Sequence, residues 1–495
     1  MNAPKLLSGP WLRLLGGGAL RPHLGCGVAL AMFTLIPLAI GRAENWPSFR
    51  GPQGTGVAIE ASTPLKWGGK ENMRWRVPLP DRGNSTPAVW GNRIFVTQAI
   101  KQESRRTVLC LDRRDGNMLW QAGITFEEKE PTNALNPYCS ASPATDGQHV
   151  IACFGSPGLY CYDFDGKEVW HRDLGDIDAM HGSGSSPVIH DGVCFLNFGP
   201  GRDSALVACD ARTGDVIWKV KPPRSERGFG FRGGFGRPRG FGPSRGGPPR
   251  GERRGPDRPG PQDSIEPSAF ERASFQGDFS ASGGFNGSWS TPVVLRVGDH
   301  EELVMAESSR VVAYDPKTGK ELWKCGGLPP QIFATPAVGE DFVVVMGHMV
   351  PSGTQVMAVK LGGNGDVVET HRLWGFRWSK DIVGSGIVAN GCVFLVAENG
   401  IAICLDAKTG EKKWEKRLRG TGSRGGSWSS MILNRGKLLV GNHSGEVFVV
   451  DASPEFQLIE TNSIPDETTC ASPAVAHNQV FLRTYKALWC FGDPE

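Results

Sequence analysis

The stretch Ile401 to Trp414, IAICLDAKTGEKKW, reads as an apolar run, an Asp, a Thr-Gly turn and a Trp eight residues after the Asp. The residues before Asp406 are β-prone, Gly410 can take a positive φ at the reversal, and the chain then restarts toward Trp414. The phrase is a strand, a tight turn and a strand. It recurs as LCLDRRDGNMLW ending at Trp120, ACDARTGDVIW at Trp218 and VAYDPKTGKELW at Trp323, with a shortened copy, CYDFDGKEVW, ending at Trp170. Five copies of one hairpin mark a repeat architecture.

A second phrase lies upstream of each copy: small residues, then Ser/Thr-x-Pro or Ser/Thr-Pro, a short turn and an apolar run. Examples are STPAVWGNRIFVTQ from Ser85, SSPVIHDGVCFLNFG from Ser185, ATPAVGEDFVVVMGH from Ala334 and ASPAVAHNQVFLRT from Ala471. The Pro phrase supplies strands a and b, and the Asp/Trp phrase supplies c and d. Seven units follow one another from Ser85 to about Ile459; the fifth has a decayed turn, VKLGGNGDVVETHRLW, and the seventh an aliphatic residue in place of Trp. Met73 to Val77 reads as a d strand alone, and Ala471 to Phe491 as a, b and c without d. Joined, these fragments make an eighth unit and remove two open edges. The reading is all-β: an eight-bladed β-propeller of four-stranded antiparallel blades, closed by the N-terminal d strand on the C-terminal abc strands.

Charge is nearly balanced, 54 basic against 51 acidic residues, which singles out neither a nucleic-acid binder nor a membrane-surface protein. The balance is unevenly distributed. Residues 1–43 carry Lys5, Arg13, Arg21 and Arg42, no acid, and an apolar run from Leu24 to Ile40, which reads as a secretory signal cleaved after Ala43; an uncleaved anchor is the alternative. No second apolar stretch is long enough to span a bilayer, so the mature chain is expected to be exported to the periplasm or cell envelope. Residues 222–285 are Gly-, Pro- and Arg-rich, with ten Arg against three acids between Pro222 and Gly260, and few aliphatics. They are expected to be a disordered insertion dividing the propeller into 44–221 and 286–495, basic enough to contact anionic polymers. Eleven of the twelve cysteines follow the signal, most of them inside apolar strands, and read as free core thiols. A Cys139–Cys470 bridge stays open.

The Asp-x-x-Thr-Gly-x-x-x-Trp phrase resembles the tryptophan-docking repeat of the pyrroloquinoline-quinone (PQQ) propeller superfamily, which contains quinoprotein alcohol dehydrogenases and the outer-membrane assembly lipoprotein of the Bam complex. The resemblance covers about Trp67 to Phe491 apart from the insertion. The loop NWPSFRGPQGTGV, Asn45 to Val57, is similar to the opening of secreted PQQ-like proteins from planctomycetes. The resemblance implies that Trp75, Trp120, Trp170, Trp218, Trp323 and Trp414 dock between neighbouring blades. It also implies a funnel face gathering His181, Trp289, Glu307, His348, Glu398, Asn399, Trp428 and His443, with Asn84, Asn136, Tyr138, Asn197, Asp381, Arg424, Asn442 and Arg483 near them. Trp289 and Trp428 sit in parallel phrases, GSWSTP and GSWSSM, and are placed to stack on a planar ligand. The competing reading of the same residues is a wet channel filled with polar side chains.

Quinoprotein chemistry needs more than the fold. The resemblance implies a vicinal Cys-Cys disulfide and Glu/Asn/Asp around Ca²⁺, but no two cysteines are adjacent here, and only Glu398 with Asn399 offers neighbouring hard oxygens. There is no CxxCH, GxSxG or HExxH, and neither GxGxxG match, at Gly228 and Gly420, opens a helix. No metal site is indicated by spacing. The expectation is a binding or scaffold module for an envelope protein or polymer, without a cofactor, the alternative being a PQQ- and Ca²⁺-dependent dehydrogenase of alcohols or sugars. Deleting Pro222 to Phe279 is expected to leave the melting temperature within a few degrees of the full chain by calorimetry, because lengthening a surface loop costs little.

Overall fold

Each Asp/Trp phrase folds as the c and d strands of a four-stranded antiparallel sheet. A computed structural model describes residues 45–58, 63–179, 181–222, 288–349, 353–423 and 425–493; the expected signal and, but for Pro222, the expected insertion lie outside them. The unit containing the opening phrase has strands Ile387–Ala389, Cys392–Val396, Ile401–Asp406 and Lys412–Arg417, hydrogen-bonded in that order. Eight such sheets form a propeller ring. One of them joins the two ends of the described chain: Met73–Pro78 pairs antiparallel with Ala487–Phe491, the outermost of the three C-terminal strands.

The turn is built by the Asp. Asp406 Oδ1 accepts the N–H groups of Lys408 (2.9 Å) and Thr409 (3.0 Å), and Gly410 takes φ +74°. The Lys413 ammonium and these two amides hold the Asp406 pKa down at about 2. Asp210 and Asp315 close their turns the same way.

In all eight sheets the register slips between c and d directly before the docking position. In the phrase that opened the analysis, Cys404 faces Trp414 but Leu405 faces Lys412, so Lys413 is the extra residue of a bulge. A bulge bends its strand and re-aims the next side chain. Here it turns the Trp into the following blade. Trp75, Trp120, Trp170, Trp218 and Trp374 donate Nε1–H to the carbonyls of Arg113, Phe164, Ala211, Pro316 and Ala407 at 2.8–3.0 Å, and Trp414 to Ser453 at 3.3 Å. The first five rings lie against the turn glycines Gly116, Gly166, Gly214, Gly319 and Gly410, so closely that a Cβ there would come within 2.5–2.9 Å of the indole.

Two interfaces depart from this rule. Trp323 is fully buried, but the decayed turn of the fifth blade offers it no carbonyl; its N–H donates to Glu302 Oε2 at 2.9 Å, while Glu302 Oε1 accepts from Gly362 N–H. The seventh blade was expected to carry an aliphatic residue at the docking position. Its register pairs Val449 with Glu460 and puts Ile459 in the bulge, because the c–d turn is one residue longer here: Asp451 N–H reaches Gln457 O, where Asp406 N–H reaches Glu411 O. The missing indole comes from outside the repeat: Trp67, 3% exposed, donates its backbone N–H to Asn462 Oδ1 at 2.8 Å and stacks its ring on Phe491 of the eighth blade.

The loop at the N-terminal end of the described chain runs across the a strands. Trp46 bridges Val89 of the first blade, Thr145 N–H reaches Pro47 O on the second, and Val57–Ala58 pairs parallel with Ile432–Asn434 on the seventh. Arg50, 1% exposed, donates to the carbonyls of Thr55, Gly386 and Met431, and burial lowers its pKa to about 9.

The glycine contacts give a paired test. Gly192 and Gly214 have nearly equal positive φ, +77° and +71°, but a Cβ meets nothing at Gly192 and the Trp170 ring at Gly214. The left-handed strain cancels between the two. Gly214→Ala should therefore lower the melting temperature by several degrees more than Gly192→Ala, the excess reporting overpacking of about 1–3 kcal/mol.

Candidate functional site

Two residues before strand a of each blade stands a Ser or Thr, and in every blade but the first its hydroxyl reaches across to the preceding blade. The N–H of Thr86 donates to Ser142 Oγ, Ser142 to Ser186, Ser186 to Thr291, Thr291 to Thr335, Thr335 to Ser385, Ser385 to Ser430 and Ser430 to Ser472, at 2.8–3.3 Å. The link from the eighth blade to the first is made differently. Arg483, fully buried, donates to Ser85 Oγ (2.5 Å), Thr97 O (2.6 Å) and Gln98 Oε1 (2.8 Å), and desolvation lowers its pKa to about 10.

Two residues before each ring hydroxyl stand Asn84, Ser140, Gly184, Trp289, Phe333, Val383, Trp428 and Cys470. All eight line one cavity of about 180 Å³, one residue from each blade. Asn133, Asn136, His181, Gln331, His348, Asp381, Ile382 and Glu398 complete the wall. The arrangement follows from an extended backbone: with a side-chain period of two, i and i−2 keep the same side, and the eightfold ring brings the i−2 residues together.

Of the sequence-predicted residues, His181, Trp289, His348, Glu398 and Trp428 line this cavity, and His443 packs behind it, edge-on to Trp428 at 6.2 Å. Glu307 and Asn399 stand outside the lining. Glu307 is drawn into its own blade, accepting from Tyr314 OH (2.6 Å) and from Arg310 Nε and Nη2 (3.0 and 2.9 Å). Asn399 is exposed at the b–c turn, its Oδ1 toward Ile401 N–H, so the expected Glu398–Asn399 ligand pair does not face one point. Asn84, Asn136 and Asp381 are in the wall; Tyr138 lies over the Arg106 guanidinium, and Asn197 clamps the carbonyls of Ser288 and Ser290, fixing the backbone on either side of Trp289. Asn442 is spent on Glu446. Arg424 lies outside the described residues. Sequence reasoning missed Phe333, Gln331, Asn133 and Cys470, although the i−2 register of the Pro phrases points to Phe333 and Cys470.

The wall has an aromatic side and an acidic side. Trp289 and Phe333 have ring centres 5.1 Å apart with an interplanar angle of 30°, and His181 and His348 flank Phe333 at 6.5 and 6.2 Å. Burial lowers the His181 pKa, so its imidazole is neutral at pH 7. His348 Nδ1 stands 3.0 Å from Asp381 Oδ1, at an angle that makes no hydrogen bond. Trp428 Nε1 donates to Glu398 Oε1 at 3.1 Å.

Residues 104–233 and 307–493, together more than half of the chain, match the sequence model of the family described as outer membrane protein assembly factor BamB. The chain belongs to that family. Among relatives of this BamB-family propeller, BamB of Moranella endobia (strain PCIT) is 26% identical over 26% of this chain and 29% of its own length. Polyvinylalcohol dehydrogenase of Pseudomonas sp is 23% identical over 42% of this chain and 37% of its own. The chain thus spans about a third of the length of these relatives. The quinohemoprotein alcohol dehydrogenase of Comamonas testosteroni superposes with a TM-score of 0.56 at 12% identity, covering 91% of this chain and 81% of that one, which is a likeness of fold.

The quinone that the resemblance implies is a fused tricyclic bearing three carboxylates. The described wall does not fit it: Asp381 and Glu398 are acidic, no described Lys or Arg lines the cavity, and about 180 Å³ is the scale of a single ring. The described cysteines are free thiols. Burial pushes Cys110, Cys139, Cys161 and Cys490 up to about 12, and Cys153 and Cys209 to about 11. Cys470 differs in place, on the cavity wall with Sγ 3.3 Å from His443 Nδ1 and 3.4 Å from Tyr485 OH. Iodoacetamide at pH 8 on the folded protein should alkylate Cys470 ahead of the ten other thiols from Cys110 onward, as read by peptide mass mapping. Equal labelling of several core thiols would contradict the packing described.

Proposed function

We propose that this protein is an exported, non-catalytic propeller of the cell envelope that binds a partner at its funnel face, in the role class of the outer-membrane assembly propeller. The observation that carries the reading is the cavity wall, whose aromatic and acidic groups suit recognition and offer a tricarboxylate quinone no described cation. Family membership supports the same role class. Among the described residues no helix is long and apolar enough to cross a membrane. The basic insertion provides a second means of contact, with anionic envelope polymers.

A second reading, a PQQ- and Ca²⁺-dependent dehydrogenase, draws on the polyvinylalcohol dehydrogenase relative. Calorimetric titration of PQQ with Ca²⁺ into the mature protein separates the two, run beside a dye-linked assay with alcohols and sugars. No heat at millimolar ligand and no turnover are expected. Micromolar binding abolished in Trp289→Ala, together with oxidation of an alcohol, would replace the binding-module reading with the dehydrogenase. In a parallel cross-linking experiment in cells, the partner captured by the wild type should be lost from Asp381→Lys.

A further inference from the structure

The chemistry of the cavity is one-sided in a way that names its ligand. Three amide donors of its polar wall are committed to the protein: Asn84 Nδ2 to Leu135 O (2.6 Å), Asn136 Nδ2 to His181 O (2.7 Å) and Ser183 O (2.9 Å), and Asn133 Nδ2 to His181 Nδ1 (3.2 Å). The indole donors are committed as well, Trp289 to Gly182 O (2.7 Å) and Trp428 to Glu398 Oε1 (3.1 Å). An acceptor remains. Asn84 Oδ1 is buried with no hydrogen-bond partner. Asp381 brings a carboxylate, 37% exposed, to the same wall, 3.0 Å from His348, whose ring lies 6.2 Å from that of Phe333.

A wall of π faces, two carboxylates without a described cation beside them in the lining, and an unanswered acceptor favours a ligand that carries positive charge and N–H groups. An anion would meet Asp381 and Glu398, and a purely apolar ligand would leave the buried acceptor unpaired. We infer that the funnel cavity binds an organic cation, an alkylammonium or guanidinium group, held against Trp289 and Phe333 with Asp381 as its counter-charge. The volume agrees, since about 180 Å³ takes a guanidinium with its adjoining methylenes and little more. The same chemistry is presented by a free small cation and by a Lys or Arg side chain of a partner protein. This inference rests on the binding-module reading and gives it a ligand class.

The test follows Trp fluorescence and heat on titrating the mature protein with N-acetyl-arginine amide, n-butylammonium chloride and the neutral isostere N-acetyl-citrulline amide, at constant ionic strength. Both cations should bind, and the citrulline compound should bind at least roughly tenfold more weakly, as expected when an aromatic face and a carboxylate act together. Asp381→Asn, nearly isosteric and at a partly exposed position, should weaken the arginine compound by about tenfold with an unchanged melting temperature. Phe333→Leu should weaken both cations and serves as the second variant should Asp381→Asn fold poorly. Equal binding of arginine and citrulline compounds, or cation binding untouched by both variants, would overturn the inference. An arginine-containing peptide binding more than tenfold tighter than the capped amino acid assigns the site to a partner's side chain, and equal affinity assigns it to a free cation. Failure here with partner capture intact defeats the cation site alone, whereas quinone turnover defeats the binding-module reading.

Discussion

The fold depends on one contact repeated around the ring: an indole seated under the c–d turn of the next blade, its N–H on a turn carbonyl. Three features of the repeat phrase must coincide for it to form. The Asp ties the turn by accepting two backbone amides, the Gly leaves space where a Cβ would strike the ring, and the bulge one residue before the Trp swings its side chain out of its own sheet. Every blade but the seventh gives a Trp to the next, and buried apolar residues cluster between neighbouring sheets around these contacts. The two irregular interfaces show what the contact requires. Where the turn has decayed, a buried carboxylate, Glu302, replaces the carbonyl; where the indole is missing, Trp67 is brought in from the segment before the repeat.

A second cyclic constraint sets the functional end. The hydroxyls from Ser142 to Ser472 tie neighbouring a strands by short polar links, which keeps the small-residue phrases at a common height around the axis. The side chains two residues earlier then have no choice but to converge. Their identities, from Gly184 to Trp289, make a wall that is open on one side and aromatic on the other, so the ring supplies position while the repeat's variation supplies chemistry. Arg483 completes the circle at the junction of last and first blades, using charge-assisted bonds to carbonyl and amide oxygens where the other blades use a hydroxyl.

This division also explains why a catalytic propeller and a binding propeller can share a backbone. The docking contacts lie between blades and leave the axis free. What occupies the axis here is two imidazoles, two carboxylates and aromatic rings, with the Asn84, Asn133 and Asn136 amides held by the surrounding loops. Cys470, on the same wall, stands beside His443, with Sγ 3.3 Å from its Nδ1.

The repeat phrases by themselves determined the all-β class, the four-stranded blade, the number of blades and the pairing of N-terminal d with C-terminal abc, because these follow from local periodicity, turn chemistry and a recurring Trp. His181, Trp289, His348, Glu398 and Trp428 were legible as funnel candidates through the resemblance, which implies that their loops gather on one face, and all five line the cavity. The tertiary structure alone decided that Glu307 turns back to Arg310 and Tyr314, that Asn399 faces solvent, that Ile459 lies in a bulge and that Trp67 fills the seventh interface. Each of these turns on a partner chosen across a sheet or between blades, in the case of Trp67 nearly 400 residues away in sequence. Periodicity reports which way a side chain leaves its strand. Only closure of the ring reports what it meets there.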